Sequence, residues 1–63
     1  MFIKIAGIYI NVDSIIDFYD VQNETNEFTH CHIVLKDAYN ERSLDTSLTA
    51  EEVMQKIKEA KCS

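Results

Sequence analysis

The sequence contains no proline and only one glycine among its 63 residues. Disordered segments are usually rich in both residue types, so we expect nearly all of the chain to be ordered. The length allows one domain, spanning residues 1–63. A chain this short buries only about 60% of the surface that its unfolded form exposes. A disulfide, a metal or self-association usually supplements such a small core.

Basic residues are absent between Lys4 and Lys36. Proteins that bind nucleic acids or anionic membranes need clustered Lys and Arg, so this gap and the net charge of −5 argue against both partners. The same interval carries five carboxylates, namely Asp13, Asp17, Asp20, Glu24 and Glu27. They have three interpretations: a solvated face, a nucleic-acid mimic that inhibits a basic partner protein, or a divalent-cation site. The spacing of a calcium loop is absent.

Cysteine is also scarce, because Cys31 and Cys62 are the only two. Two cysteines do not make a disulfide framework, and free thiols are typical of a reducing cytoplasm. The chain begins with Met1 and an alternating pattern, without the basic and apolar regions of a signal peptide. We therefore expect a complete, small cytoplasmic protein. With one glycine there is no phosphate-binding loop, and no Ser-His-Asp motif is recognisable, so we expect neither a cofactor nor enzymatic activity.

The pattern that is present predicts an α+β fold, with about four to five short antiparallel strands in a flat or curled sheet. Strands are indicated by β-branched and aromatic residues between turn signals. The predicted strands are 2–6, 8–12, 15–21, 28–36 and 41–48, the first two joined at Gly7 and the last a polar edge strand. Helix is the competing interpretation of 15–21, because Ser14 could cap one.

A C-terminal amphipathic helix from Thr49 to about Lys61 is indicated by several independent signals. Thr49 and Glu52 have the spacing of a capping box, and Leu48 with Val53 that of a hydrophobic staple. One apolar stripe follows at helical spacing, made of Ala50, Val53, Met54, Ile57 and Ala60. This stripe should pack on one face of the sheet.

The strands carry more apolar residues than one short helix can cover. A sheet covered on one side should alternate apolar and polar residues, yet 15–16, 18–19 and 33–35 are apolar on both faces. Either the sheet curls into a small barrel or its second face is an interface. We favour self-association, with a dimer as the simplest state, through an interface of Tyr9, Phe18, Tyr19, Phe28 and Val34.

His30 and His32 are the one pair of residues whose spacing suggests chemistry. On a strand, residues two apart point to the same face, so the two imidazoles could share a metal ion. A third ligand from a neighbouring strand would complete a catalytic-type zinc site, and Asp17, Asp20 and Glu41 are available. The simpler interpretation is a pair of surface or interface histidines. Cys31 should point to the opposite, core-facing side.

Three segments together resemble the FlbD/SwrD family of small flagellar and swarming-motility proteins. They are Ile5-Ala6-Gly7-x-Tyr9-Ile10-Asn11-x-Asp13-x-Ile15, then Ile33-Val34-Leu35, then Glu51-Glu52-Val53 before a short helix. The resemblance implies a strand-rich domain with a C-terminal helix and brings no catalytic residues. The sequence as a whole predicts a non-enzymatic protein–protein interaction module of bacterial or phage type.

Overall fold

The computed structural model describes residues 1–62. Its elements are β1 (Phe2–Ile5), β2 (Ile8–Asn11), β3 (Ile15–Gln22), β4 (Phe28–Lys36), β5 (Glu41–Thr46) and α1 (Ala50–Cys62). The predicted α+β class is confirmed, including the C-terminal helix and the strand at 15–21. The strands divide into two antiparallel sheets, β1-β2 and β3-β4-β5, where the sequence suggested one sheet.

The β1-β2 hairpin turns through two residues, Ala6 and Gly7, because Ile5 pairs with Ile8. Both turn residues have positive φ, 53° for Ala6 and 77° for Gly7. Positive φ at both positions is typical of the tight turns whose twist matches paired strands, and it favours asparagine and glycine. Gly7 adopts this backbone without steric cost, whereas the Cβ of Ala6 is crowded there.

A single turn of 3-10 helix, Val12–Ser14, separates the two sheets. The Asn11 side chain accepts a hydrogen bond from the amide of Asp13 over 3.1 Å. The Val12 amide donates to the carbonyl of Met1 over 3.0 Å, which ties the turn to the start of the chain. Because this turn redirects the backbone, β2 does not pair with β3.

β4 is the central strand of the three-stranded sheet, and β5 is an edge, as the polar sequence of β5 predicts. Side chains hold both connecting loops. Asn23 Oδ1 accepts from the amides of Thr25 and Glu27 at 2.9 and 3.0 Å. Asp37 Oδ1 accepts from the amides of Tyr39 and Asn40 at 3.0 and 2.7 Å. These two bonds also lower the pKa of Asp37 below its usual range.

Helix α1 begins with the predicted capping box. The Glu52 amide donates to Thr49 Oγ1 over 3.2 Å, and the Thr49 amide donates to the Glu52 carboxylate over 3.1 Å. Val53 and Ile57 are buried where the helix packs against β1 and β3. Met54 was also predicted to face the core, but it is 41% exposed, because it lies at the margin of the buried stripe.

The core lies between the inner face of the three-stranded sheet on one side and the hairpin and helix on the other. Its buried apolar members are Ile3, Ile5, Ile10, Val12, Cys31, Ile33, Leu35, Val53 and Ile57. β4 alone supplies three of them, spaced two apart, as the strand period requires. The opposite side of β4 therefore faces away from the core.

Candidate functional site on the outer face of the sheet

Strand register places one set of side chains on the side of the three-stranded sheet that faces away from the core. We call this the outer face. Its residues are Asp17, Tyr19 and Val21 on β3, His30, His32 and Val34 on β4, and Ser43 and Asp45 on β5. None of them is buried in the described chain. The outer face is therefore an uncovered surface in a single copy of the chain.

Tyr19, His32 and Asp45 form one row across all three strands. His32 Nδ1 lies 2.7 Å from Asp45 Oδ1, a short hydrogen bond. The rings of Tyr19 and His32 are tilted by 48° with centroids 5.5 Å apart, within the range of aromatic ring contacts. Tyr19 and Asp45 therefore hold the His32 ring from opposite sides.

His30 approaches the same carboxylate diagonally, with Nε2 3.8 Å from Asp45 Oδ1. Its other ring nitrogen, Nδ1, lies 3.0 Å from Thr29 Oγ1. Thr29 Oγ1 in turn donates to the carbonyl oxygen of Val21 over 3.0 Å. The register shift between β3 and β4 at Val21/Gln22 lies beside this chain of bonds. One potential ligand atom each from His30, His32 and Asp45 lies within 4.8 Å of the others.

Asp45 was missing from the acidic residues that the sequence offered as a third ligand. Of those residues, Asp17 lies on the outer face but opposite Val34, and Glu41 pairs with Lys36 at the far end of the sheet. Asp20 was also offered, but it is directed to the helix, where it accepts from the Ala50 amide. A signal for Asp45 did exist, because a turn over 37–40 fixes the β4–β5 register and sets residue 45 opposite residue 32.

The predicted interface residues do not share one surface. Tyr19 and Val34 lie on the outer face. Tyr9 is exposed on the separate hairpin, with its ring 5.6 Å from Lys4 Nζ. Phe28 is exposed at the start of β4, opposite Gln22.

Phe18 belongs to the inner side of the sheet. It pairs with the fully buried Ile33 and packs against the core. Alternation explains this placement, since Phe18 and Tyr19 are adjacent and must point to opposite faces. Phe18 is therefore half-buried at the margin of the core and does not lie on the outer face.

The acidic run of residues 13–27 is dispersed over the fold. Asp20 binds the first amide of the helix over 2.7 Å. Glu27 accepts from Thr25 Oγ1 over 2.9 Å within the β3–β4 loop. Asp17 lies on the outer face, and Asp13 lies in the 3-10 turn. Because two of the five carboxylates make hydrogen bonds within the fold, the mimicry of nucleic-acid phosphates has less support than a solvated face.

Cys31 and Cys62 are both free thiols. Cys31 is fully buried in the core. Burial raises the pKa of its thiol, and the nearby carboxylate of Asp20 raises it further. A thiol with a raised pKa is a poor nucleophile near neutral pH, so Cys31 has the properties of a packing residue. Cys62 is exposed at the end of α1.

Within residues 1–62, no helix has the length and apolar character needed to cross a membrane. No family model, curated protein or solved structure matches the chain. The resemblance to the FlbD/SwrD family is therefore untested and stays a prediction.

Proposed function

We propose that this chain is a non-enzymatic interaction module that self-associates, two copies meeting through the outer face of the three-stranded sheet. The observation that carries the proposal is a whole sheet face left uncovered by the rest of the described chain, with Tyr19 48% exposed near its centre. Tyrosine is enriched in the central, desolvated part of protein interfaces. Half-buried Val21 and Val34 add apolar area around it.

A second copy is favoured as the occupant by the total exposed surface. A folded monomer of 7.3 kDa is expected to expose about 4200 Å² from the usual dependence of surface on mass. This chain exposes 4610 Å². The surplus is small and lies in the direction that an uncovered face produces, and small chains commonly cover such surface by pairing with themselves. A twofold dimer would bury the same face on both copies.

The charged residues of the edge strand β5 favour a contact between sheet faces over a contact between strand edges. Edge strands that must not join other sheets usually carry charged side chains. β5 presents Glu41, Arg42 and Asp45 among its six residues. Extension of the sheet across this edge would bring these charges against those of another strand, so we expect the copies to meet face to face.

A role without catalysis is supported by the chemistry of the face. The thiol of Cys31, the one cysteine of β4, points into the core, and burial raises its pKa. Free thiols in both cysteines are consistent with a reducing compartment such as the cytoplasm. Cytoplasmic residence and bacterial or phage origin remain part of the proposal.

Sedimentation velocity tests the self-association. We expect the full chain, treated with EDTA, to have twice the monomer mass at a protein concentration of tens of micromolar. Tyr19→Glu should give a monomer, because it places a desolvated charge at the centre of the contact. Tyr39→Glu is the matched control, since Tyr39 is 93% exposed in the distant β4–β5 turn, and it should leave the dimer intact. A monomer for the unmodified chain, or equal effects of the two variants, would overturn the proposal.

A further inference from the structure

The hydrogen bonds around Thr29 determine which nitrogen of His30 carries the proton. The carbonyl oxygen of Val21 can only accept, so the Thr29 hydroxyl proton is directed to it. Thr29 Oγ1 must then accept from His30 Nδ1, which lies 3.0 Å away. In the neutral ring Nδ1 is therefore protonated, and Nε2 carries a free lone pair.

That lone pair points toward a negative group. His30 Nε2 lies 3.8 Å from Asp45 Oδ1, and neither atom has a proton to share when the ring is neutral. His32 Nδ1 lies 2.7 Å from the same oxygen. Because a carboxylate only accepts, His32 Nδ1 carries the proton of this hydrogen bond in the metal-free chain. A metal ion that binds here displaces that proton to solvent, after which three electron-pair donors converge on the ion from two neighbouring strands.

The spacing fits a small transition-metal ion. Zinc binds imidazole nitrogen and carboxylate oxygen at about 2.0–2.2 Å, so two ligands of a tetrahedral site lie about 3.3 Å apart. The 3.8 Å between His30 Nε2 and Asp45 Oδ1 is somewhat longer than this value, and the 2.7 Å between His32 Nδ1 and Asp45 Oδ1, a hydrogen-bond distance, must lengthen once the proton between them is displaced. Small rotations of the half-exposed side chains would equalise them. Imidazole ligands favour zinc and its neighbours in the transition series over magnesium or calcium.

The geometry points to a zinc-class divalent cation site formed by His30, His32 and Asp45, with a fourth position that none of the described residues of the chain fills. Thr29 is a positioning residue, because its hydroxyl fixes the orientation and protonation of His30, as outer partners of metal-binding histidines generally do. All three ligands come from one chain, so the site does not depend on self-association.

Titration of the full chain without a polyhistidine tag tests the site. Because the exposed Cys62 thiol could also bind zinc, the parent for this experiment is Cys62→Ser. EDTA-stripped protein is titrated with Zn²⁺ by calorimetry and with Co²⁺ by visible absorption at about pH 7.5. We expect one ion per chain and the absorption typical of tetrahedral Co²⁺.

Variants separate the site from general surface binding. Asp45→Asn and His32→Gln should each weaken binding at least tenfold, and Thr29→Val should weaken it by about 10- to 100-fold through His30. Asp17→Asn is the matched control, because it removes a carboxylate from the same face without touching the cluster. Circular dichroism should show all variants folded.

The inference is overturned by several results. One is a parent protein that binds neither ion below millimolar concentration. Another is an Asp45→Asn variant that binds as tightly as the parent, which would leave only the histidine pair. A third is equal weakening by Asp17→Asn and Asp45→Asn, which would indicate a diffuse electrostatic effect. Sedimentation of the EDTA-treated protein reports the self-association separately, so the two proposals can fail independently.

Discussion

Asp20 on β3 accepts a hydrogen bond from the backbone amide of Ala50, the first residue of α1, over 2.7 Å. The two residues are thirty positions apart in the sequence. The carboxylate lies at the positive end of the helix dipole and satisfies an amide that has no partner inside the helix. The sheet thus caps the helix that packs on it, in addition to the local cap from Thr49.

Asp20→Ala should lower the free energy of unfolding by about 1 kcal/mol, because the first amide of α1 loses its acceptor and the dipole loses a favourable charge. Urea denaturation followed by circular dichroism measures the change. Asp17→Ala is the control, since Asp17 lies on the same strand but on the outer face. If both variants lose the same stability, the bond to Ala50 contributes nothing specific.

Stability should fall at alkaline pH because of Cys31. Burial first, and then Asp20, raise the pKa of its thiol above the ordinary value of 9.0. The unfolded chain therefore loses this proton at a lower pH than the folded chain does. The contribution of the buried, protonated Cys31 thiol to stability is therefore complete below the ordinary thiol pKa. It is lost as the pH rises toward the higher pKa of this thiol in the folded chain.

Urea denaturation between about pH 8 and pH 10 measures this effect over the range where thiols titrate. Cys31→Ala should unfold more easily at all pH values but with a shallower decline in stability. Cys62→Ala should keep the parent's slope, because Cys62 is exposed. A parent and a Cys31→Ala variant with identical slopes would contradict the expectation.

Ala6→Asn should stabilise the protein by about 1 kcal/mol, because asparagine tolerates the positive φ of this turn better than alanine does. Thermal denaturation would show a higher midpoint. Ala38→Asn serves as the control, since Ala38 lies in the other turn and is not among the residues with positive φ. A gain at both positions would point to a general effect of asparagine in turns.

Ile33 should be the most sensitive position of β4, because its side chain is fully buried. Ile33→Val should cost about 1 kcal/mol and Ile33→Ala about 2–5 kcal/mol. The larger loss is comparable to the whole stability expected of so small a domain. Ile16→Ala, at a position that is 57% exposed, should cost no more than about 0.5 kcal/mol. Comparable losses at Ile16 and Ile33 would contradict this assignment of the core.

Local signals made the helix and the strands predictable. The Thr49–Glu52 box and the spacing of Val53 and Ile57 are all contained within a few neighbouring residues, and each corresponds to a contact or a buried side chain in the fold. Alternation likewise placed Cys31 inside and His32 outside. These features depend on backbone periodicity, which the sequence expresses directly.

Long-range features were not predictable in the same way. The bond between Asp20 and Ala50 depends on how the helix settles on the sheet. The separation into two sheets depends on the path of the chain through Val12–Ser14. The position of Asp45 is intermediate in predictability, because it follows from the register of one hairpin. Counting outward from the turn places Asp45 opposite His32.

β4 carries its two roles on alternate residues. The core contains Cys31, Ile33 and Leu35, whereas the outer face carries His30, His32 and Val34. Substitutions at the outward positions can therefore change the surface of the sheet while the inward residues and the core are kept. The outward positions of β4 thus allow new binding residues to be introduced into this small chain without a change of fold.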